Sequence, residues 1–259
     1  MGNVSNRRYF EQDWHKLAIG ICVWARLNGG MKTPAVALVT GAGKGIGREV
    51  ARLLVEKGLE VWVAARNAGQ AAEVAEALGP QAHAVTLDVT HEGSVQAAAA
   101  EVEQRSGRLD VLINNAAVLL DRADDIAAVP VEVLRHTLET NVLGVWRVVQ
   151  AFLPLLEKSA APRIVNVSSG AGQLSDPGNW APAYSVSKTA LNGVTTQLAV
   201  ARPHMAVNAV SPGWCRTDMG GPGATKSAEE GADSIVWLAV EAPQNLTGKF
   251  ISDRREMAW

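Results

Sequence analysis

From Val36 onward, short apolar runs alternate with stretches of helical period, and this rhythm constrains the fold more than any other feature of the chain. Val36-Ala-Leu-Val-Thr40 is an unbroken apolar run ended by glycines, the pattern of a strand buried on both faces. Ile46, Val50, Leu53 and Leu54 then share one face of a helix that Gly58 stops. The series continues with predicted strands at 61–65, 84–88, 111–114, 164–167, 206–210 and 248–251. Helices are predicted between them at 71–78, 95–103, 131–156, 183–201 and 227–239. Alternation repeated about seven times, with no internal repeat or linker, predicts one α/β domain of Rossmann type. That is a doubly wound parallel sheet of about seven strands, flanked by helices and joined by right-handed crossovers. At 259 residues the chain could hold one large domain or two small ones, and the unbroken rhythm decides for one.

Charge and cysteine content remove several function classes. Lys plus Arg is 24 against Asp plus Glu 26, so the basic excess of a nucleic-acid binder is absent. Only Cys22 and Cys215 are present, far apart, which excludes a disulfide scaffold and a Cys-rich zinc site. The five histidines share no metal-ligand spacing, so no metal is expected. The longest apolar stretch, Leu17 to Trp24, is broken by Gly20 and falls far short of the ~20 residues of a membrane span. Glu11 and Asp13 stand where a secretory leader carries basic residues, and Asn6 breaks a myristoylation motif. Reduced, cytoplasmic chemistry is the expectation. Residues 1–30 carry no usable pattern and read as an N-terminal extension of unknown role, ahead of a domain at 31–259.

Ligands in doubly wound sheets bind at the carboxyl ends of the strands. The first strand ends in Thr40-Gly41-Ala42-Gly43-Lys44-Gly45-Ile46-Gly47 and runs into a helix. Glycines there let the backbone approach a pyrophosphate, and the helix start offers free N–H groups to it. A P-loop is excluded, because Ile46 stands where the glycine of its Gly-Lys-Ser/Thr ending belongs. The second strand ends in Ala65-Arg66-Asn67, where a reader of NAD carries Asp or Glu. Glu60 lies six strand residues back, roughly 20 Å at ~3.3 Å each, too far to serve. Arg66 offers a planar fork for a 2′-phosphate and Lys44 a second positive charge, so the expected cofactor is NADP(H). The bland alternative is that Arg66 is a solvated charge after a strand.

Tyr184 and Lys188 lie in Tyr184-Ser-Val-Ser-Lys188 on a predicted helix, where residues four apart share a face. A free phenol titrates near 10 and is sluggish at neutral pH. A cation ~4 Å away, worth at most about 4 kcal/mol at an effective dielectric of ~20, would bring it into working range. Two surface residues on a helix are the ordinary alternative. Ser168 and Ser169 end the strand at 164–167 on the same sheet edge, and a serine there can donate to a developing alkoxide. Asn114-Asn115, Asn141 and Ser211-Pro212-Gly213 are each weak alone and together ring that edge.

These residues resemble the short-chain dehydrogenase/reductase family over about Val36 to Trp259. Thr40-Gly41-x3-Gly45-x-Gly47 is similar to its glycine loop, Asp88-Val89 to its adenine-side pair and Asn114-Asn115-Ala116 to its Asn-Asn-Ala-Gly segment, with Ala117 in place of the last glycine. Asn141, Ser169, Tyr184 and Lys188 match its catalytic tetrad, and Pro212-Gly213 through Thr217 the loop that holds the nicotinamide carboxamide. The resemblance implies hydride transfer between nicotinamide and a carbonyl or alcohol carbon. It makes Tyr184 the general acid in reduction and gives Lys188 two tasks, lowering the Tyr184 pKa and binding the nicotinamide ribose. It has Ser169 steady the substrate oxygen, Asn141 hold a water linking Lys188 to solvent, and Ser169 rather than Ser168 act.

Within the family, Pro212-Gly-Trp-Cys-Arg-Thr217 and the ending Gly248-Lys-Phe-Ile-Ser-Asp-Arg resemble carbonyl reductases acting on small aldehydes, ketones or quinones. Trp180 and Trp214 are candidates for an apolar pocket, the segment from Met219 to Ser227 for a small lid, and Cys215 has no histidine nearby for thiol chemistry. Leu134, Leu138, Val142, Val145, Val149, Phe152 and Leu156 form an apolar stripe that reads as core. The resemblance implies that this helix also pairs subunits, as a homodimer or homotetramer. Two rivals stay open: a 3-oxoacyl-thioester reductase or a sugar or sterol dehydrogenase on the same fold, and a non-catalytic NADP(H)-sensing protein.

Overall fold

The computed structural model describes residues 34–259; the expected extension at 1–30 and Cys22 lie outside the described residues. Strand β1 (Val36–Thr40), helix α1 (Gly45–Glu56), β2 (Glu60–Ala65), α2 (Ala68–Leu78), β3 (Ala82–Thr86), α3 (Glu92–Ser106) and β4 (Val111–Asn114) make the first half. The second runs through α4 (Val131–Leu138), α5 (Gly144–Leu156), β5 (Arg163–Val167), α6 (Pro182–Ala201), β6 (Ala206–Ser211) and α7 (Ala228–Val240) to β7 (Phe250–Ser252) and β8 (Arg255–Met257). The sheet order is β3-β2-β1-β4-β5-β6-β7-β8, and every pairing is parallel except β7 with β8. Order reverses between β1 and β4, so the crevice a ligand would use opens at the carboxyl ends of these strands.

Both faces of the sheet are covered, as central strands buried along their whole length require. α1 packs against α7 on one face, and α3 against α5 on the other. Leu38, Trp62, Leu112, Phe152 and Ile164 are fully buried in the core between sheet and helices. No helix of the described residues is long and apolar enough to cross a membrane.

Two details go beyond the sequence expectation. Among the described residues the sheet has eight strands, against about seven expected. β8 folds back on β7 through Asp253 and Arg254, at φ 49 and 58, a two-residue hairpin turn with both central residues left-handed. The usual Asn-Gly signal is missing; instead the Arg254 N–H donates to Ser234 Oγ at 3.0 Å and its guanidinium pairs with Asp233, so packing on α7 holds the turn. The helix expected at 131–156 is two helices joined by a π-helical turn at Glu139–Leu143. Within the stripe, Val145, Val149, Phe152 and Leu156 are buried, whereas Leu143 and Trp146 face outward, 46% and 51% exposed.

Candidate functional site

A cleft of about 1100 Å³ lies along the carboxyl ends of β1, β2, β4, β5 and β6. The residues singled out in the sequence for cofactor or chemistry line it, except Thr40, Asn114 and Asn141, which are buried behind it. One end is made of backbone. Gly41 sits at φ +65, where L side chains are strained, and a Cβ there would meet Ala116 Cα at 2.9 Å. A Cβ on Gly47 would stand 2.5 Å from both the Gly41 carbonyl oxygen and Asn115 Nδ2. The Asn115 amide fixes this turn by donating to the carbonyls of Thr40 and Gly41, at 2.9 and 3.2 Å. Thr40 Oγ1 accepts from the N–H groups of Asn115 and Ala116, a contact the sequence did not advertise.

Arg66 is exposed at the end of β2 and makes no ion pair among the described residues. Lys44, expected beside it, is instead paired with Asp218 at 2.6 Å across the mouth of the cleft. Burial pushes the Asp88 carboxyl up. Hydrogen bonds from Thr90 Oγ1 and N–H, with the charges of His91 and Arg66, outweigh this and hold it below the usual range.

The other end is made of side chains. Tyr184 and Lys188 sit one turn apart on α6, both buried, with Lys188 Nζ 5.5 Å from the centre of the phenol ring. Desolvation pushes the Tyr184 phenol up to about 12, against a hydrogen bond with Ser169 that lowers it. The same burial pushes the Lys188 ammonium down to about 7. This corrects the expectation of a phenol lowered by its lysine: both groups are taken out of water and each moves toward its neutral form. Lys188 Nζ donates to the Val167 carbonyl at 2.8 Å.

The two serines divide. Ser168 Oγ is spent on Asn192 Oδ1 at 2.6 Å, whereas Ser169 faces the cleft and Tyr184. The Asn141 amide is engaged on Val118, accepting from its N–H at 2.8 Å and donating to its carbonyl at 2.9 Å, and on Ser187 Oγ. Leu119, Trp180, Trp214 and Met219 give the Tyr184 end apolar walls, with Arg122 the cation on its rim. Pro212, Gly213 and Thr217 line the cleft on the segment after β6. That segment is tied down rather than loose, through Lys44 to Asp218 and through Arg122 Nη2 to the Met219 carbonyl at 3.0 Å. Burial pushes the Cys215 thiol up, away from the reactive thiolate.

The short chain dehydrogenase family profile matches residues 35–228. The chain belongs to the short-chain dehydrogenase/reductase family. This dehydrogenase is 38% identical over 250 residues to the short-chain dehydrogenase anuI of Penicillium roqueforti, an alignment covering 88% of this chain and 98% of that protein. Its fold is similar to salutaridine reductase from Papaver somniferum, with a TM-score of 0.76 and 27% identity over 85% of this chain and 99% of that one. It is also similar to a short-chain dehydrogenase of Shigella flexneri complexed with NADP, with a TM-score of 0.77 and 30% identity over 85% of this chain and 97% of that one. As an oxidoreductase of this family, the protein carries Asp121 and Arg122 against its Tyr184 helix and its 212–221 segment. Sequence reasoning missed both, because their partners lie 62 and 97 residues away.

Proposed function

We propose that this oxidoreductase uses NADPH to reduce a small apolar aldehyde, ketone or quinone to the alcohol. The observation that carries the reading is the Tyr184 hydroxyl, hydrogen-bonded to Ser169 and held protonated by burial, at the apolar end of the cleft. A buried phenol that keeps its proton can donate it to a substrate oxygen. The names of the relatives are compatible: one is a reductase of salutaridine, and another is complexed with NADP.

The residues present fit a dinucleotide with a 2′-phosphate. The absent Cβ at Gly47 opens a cradle against the backbone, and Arg66 stands free where an acid would repel that phosphate. Gly41, Lys44, Gly45, Ile46, Gly47, Arg66, Asp88, Val89 and Asn115 would hold the adenosine and pyrophosphate side. Tyr184, Lys188, Pro212, Gly213 and Thr217 would hold the nicotinamide side. When bound, the nicotinamide supplies the hydride.

Ser169 donates a hydrogen bond to the substrate oxygen and strengthens it as that oxygen becomes alkoxide-like. Tyr184 gives up its hydroxyl proton to the same oxygen. Lys188, whose Nζ keeps donors beyond the Val167 bond, orients the ribose, and its amine, pushed down to about 7 by burial, can take up a proton to offset the phenolate left behind. Asn141 fixes Val118 and Ser187 so that the floor of this end does not shift.

The test is loss of NADPH absorbance, then of NADH, across a panel of aldehydes, ketones and quinones. Turnover that prefers NADPH and falls by about 10²- to 10⁴-fold in Tyr184→Phe is the expected result. NADPH binding without turnover of any carbonyl would overturn it and favour a cofactor sensor.

A further inference from the structure

Helix α6, which carries both Tyr184 and Lys188, begins in an unusual way. Its N-cap is Ala181, a left-handed residue at φ 49 with no side-chain oxygen to offer, and its first helical residue is Pro182, which has no N–H. The helix therefore cannot cap itself. The first two N–H groups that need acceptors are those of Ala183 and Tyr184. Both go to one carboxylate from another part of the chain: Ala183 N–H donates to Asp121 Oδ2 at 2.7 Å, and Tyr184 N–H to Asp121 Oδ1 at 3.2 Å.

Asp121 is 6% exposed, so these two bonds are made out of water, where an unsatisfied partner is expensive. The same stretch grips the helix approach a second time, since Ala181 N–H donates to the Ala123 carbonyl at 2.7 Å. Three residues upstream of Asp121, the Asn141 amide holds Val118 by both its N–H and its carbonyl. Tyr184 is thus fixed on its N–H by Asp121 and on its carbonyl by Ser187 Oγ at 2.7 Å.

We propose that Asp121 is the positioning residue for Tyr184: a borrowed N-cap that sets where the phenol stands in the cleft, without touching substrate or cofactor. The kinetic arm of its test rests on the function proposed above; two further arms do not. The variants are Asp121→Ala, which removes both acceptors, and Asp121→Asn, which keeps one.

In the kinetic arm, Asp121→Ala lowers kcat by about 10- to 100-fold, the scale of a 1 Å misplacement, and leaves NADPH affinity within about twofold. Asp121→Asn falls between Ala and wild type. In the second arm, hydrogen exchange at the Ala183 and Tyr184 amides speeds up by about tenfold or more, while the β-sheet amides stay protected. The third arm uses the fact that the chain has only two tyrosines, Tyr9 and Tyr184. In a Tyr9→Phe background, 3-fluorotyrosine labelling gives one fluorine resonance, which shifts and gains a solvent isotope effect when Asp121 is replaced.

Unchanged kcat in both variants, NADPH affinity lost in step with kcat, or a fluorine resonance that does not move would each overturn the proposal. If Asp121→Ala fails to fold, Asp121→Asn carries all three arms with smaller effects in the same directions. If wild type reduces no carbonyl, the functional reading falls, and exchange and fluorine still decide for or against Asp121.

Discussion

The two ends of the cleft are built by opposite means. The glycine-loop end takes its shape mainly from the backbone of one short stretch, pinned from outside by the Asn115 amide: a positive φ at Gly41, a missing Cβ at Gly47, and a helix that starts where the loop stops. The tyrosine end takes its shape from side chains that reach across the fold. Lys188 leans on Val167, Ser168 on Asn192, Asn141 on Val118 and Ser187, and α6 on Asp121. A backbone-made site is rigid and intolerant at single glycines, whereas a side-chain-made site spreads its tolerance over several contacts and its vulnerability over several elements.

The sharpest way to break the glycine end alone is Gly47→Ala. Its Cβ would press on a backbone carbonyl and on Asn115 at 2.5 Å, and neither can retreat without moving the loop. Fluorescence titration should show NADPH affinity down by at least about 100-fold, with a stability loss of about 1–3 kcal/mol in urea unfolding. Affinity within tenfold of wild type would mean that the loop gives, and the contrast between the ends would fail.

Next in size is Arg66→Ala. Losing a charge-assisted fork of about 1.5–3 kcal/mol should raise the NADPH KM by about 10- to 100-fold and leave the NADH KM where it was. Equal effects on both cofactors would remove the 2′-phosphate from the proposal. Lys44, already paired with Asp218, is expected to matter less.

The tyrosine end is sharpened by pH, with an effect that is small per pH unit. Lys188 titrates at about 7 in the fold against 10.5 unfolded, so between those values the unfolded chain binds the extra proton. Stability of the cofactor-free protein should therefore rise with pH across that window, by up to about 1.4 kcal/mol per pH unit from this one group. Lys188→Met should flatten the rise in urea midpoints, and an unchanged pH slope would show that the amine stays charged where it is buried.

The same contrast decides how far the chain could be read in advance. Strand–helix alternation, the glycine loop and the four-residue spacing of Tyr184 and Lys188 are local, so they are visible in one dimension. β8 was missed because its turn, Asp253-Arg254, is held left-handed by ion pairing to Asp233 and packing on α7 rather than by glycine. The π-helical turn at 139–143 was missed because hydrophobic spacing runs through it unchanged from α4 to α5. The pKa directions of Tyr184 and Lys188 were out of reach for a third reason. Spacing names a neighbour but does not say how much water is left around it, and here burial pushes the phenol up and the ammonium down. Asp121 is the extreme case: nothing near it in sequence marks the helix it serves.

The antiparallel strand β8 has a consequence for how the molecule behaves in a crowd. An open sheet margin is a template on which a neighbouring chain can grow. Without β8 that margin would be β7, with Phe250 and Ile251 along it. Instead the sheet finishes on three residues that turn Arg255 and Glu256 outward, with Glu256 tied to Lys249 at 2.7 Å. The fastening is the Arg254 hold on Asp233, neither of which lines the cleft. Damage there would spare the chemistry at first and show itself as a protein that clouds on standing.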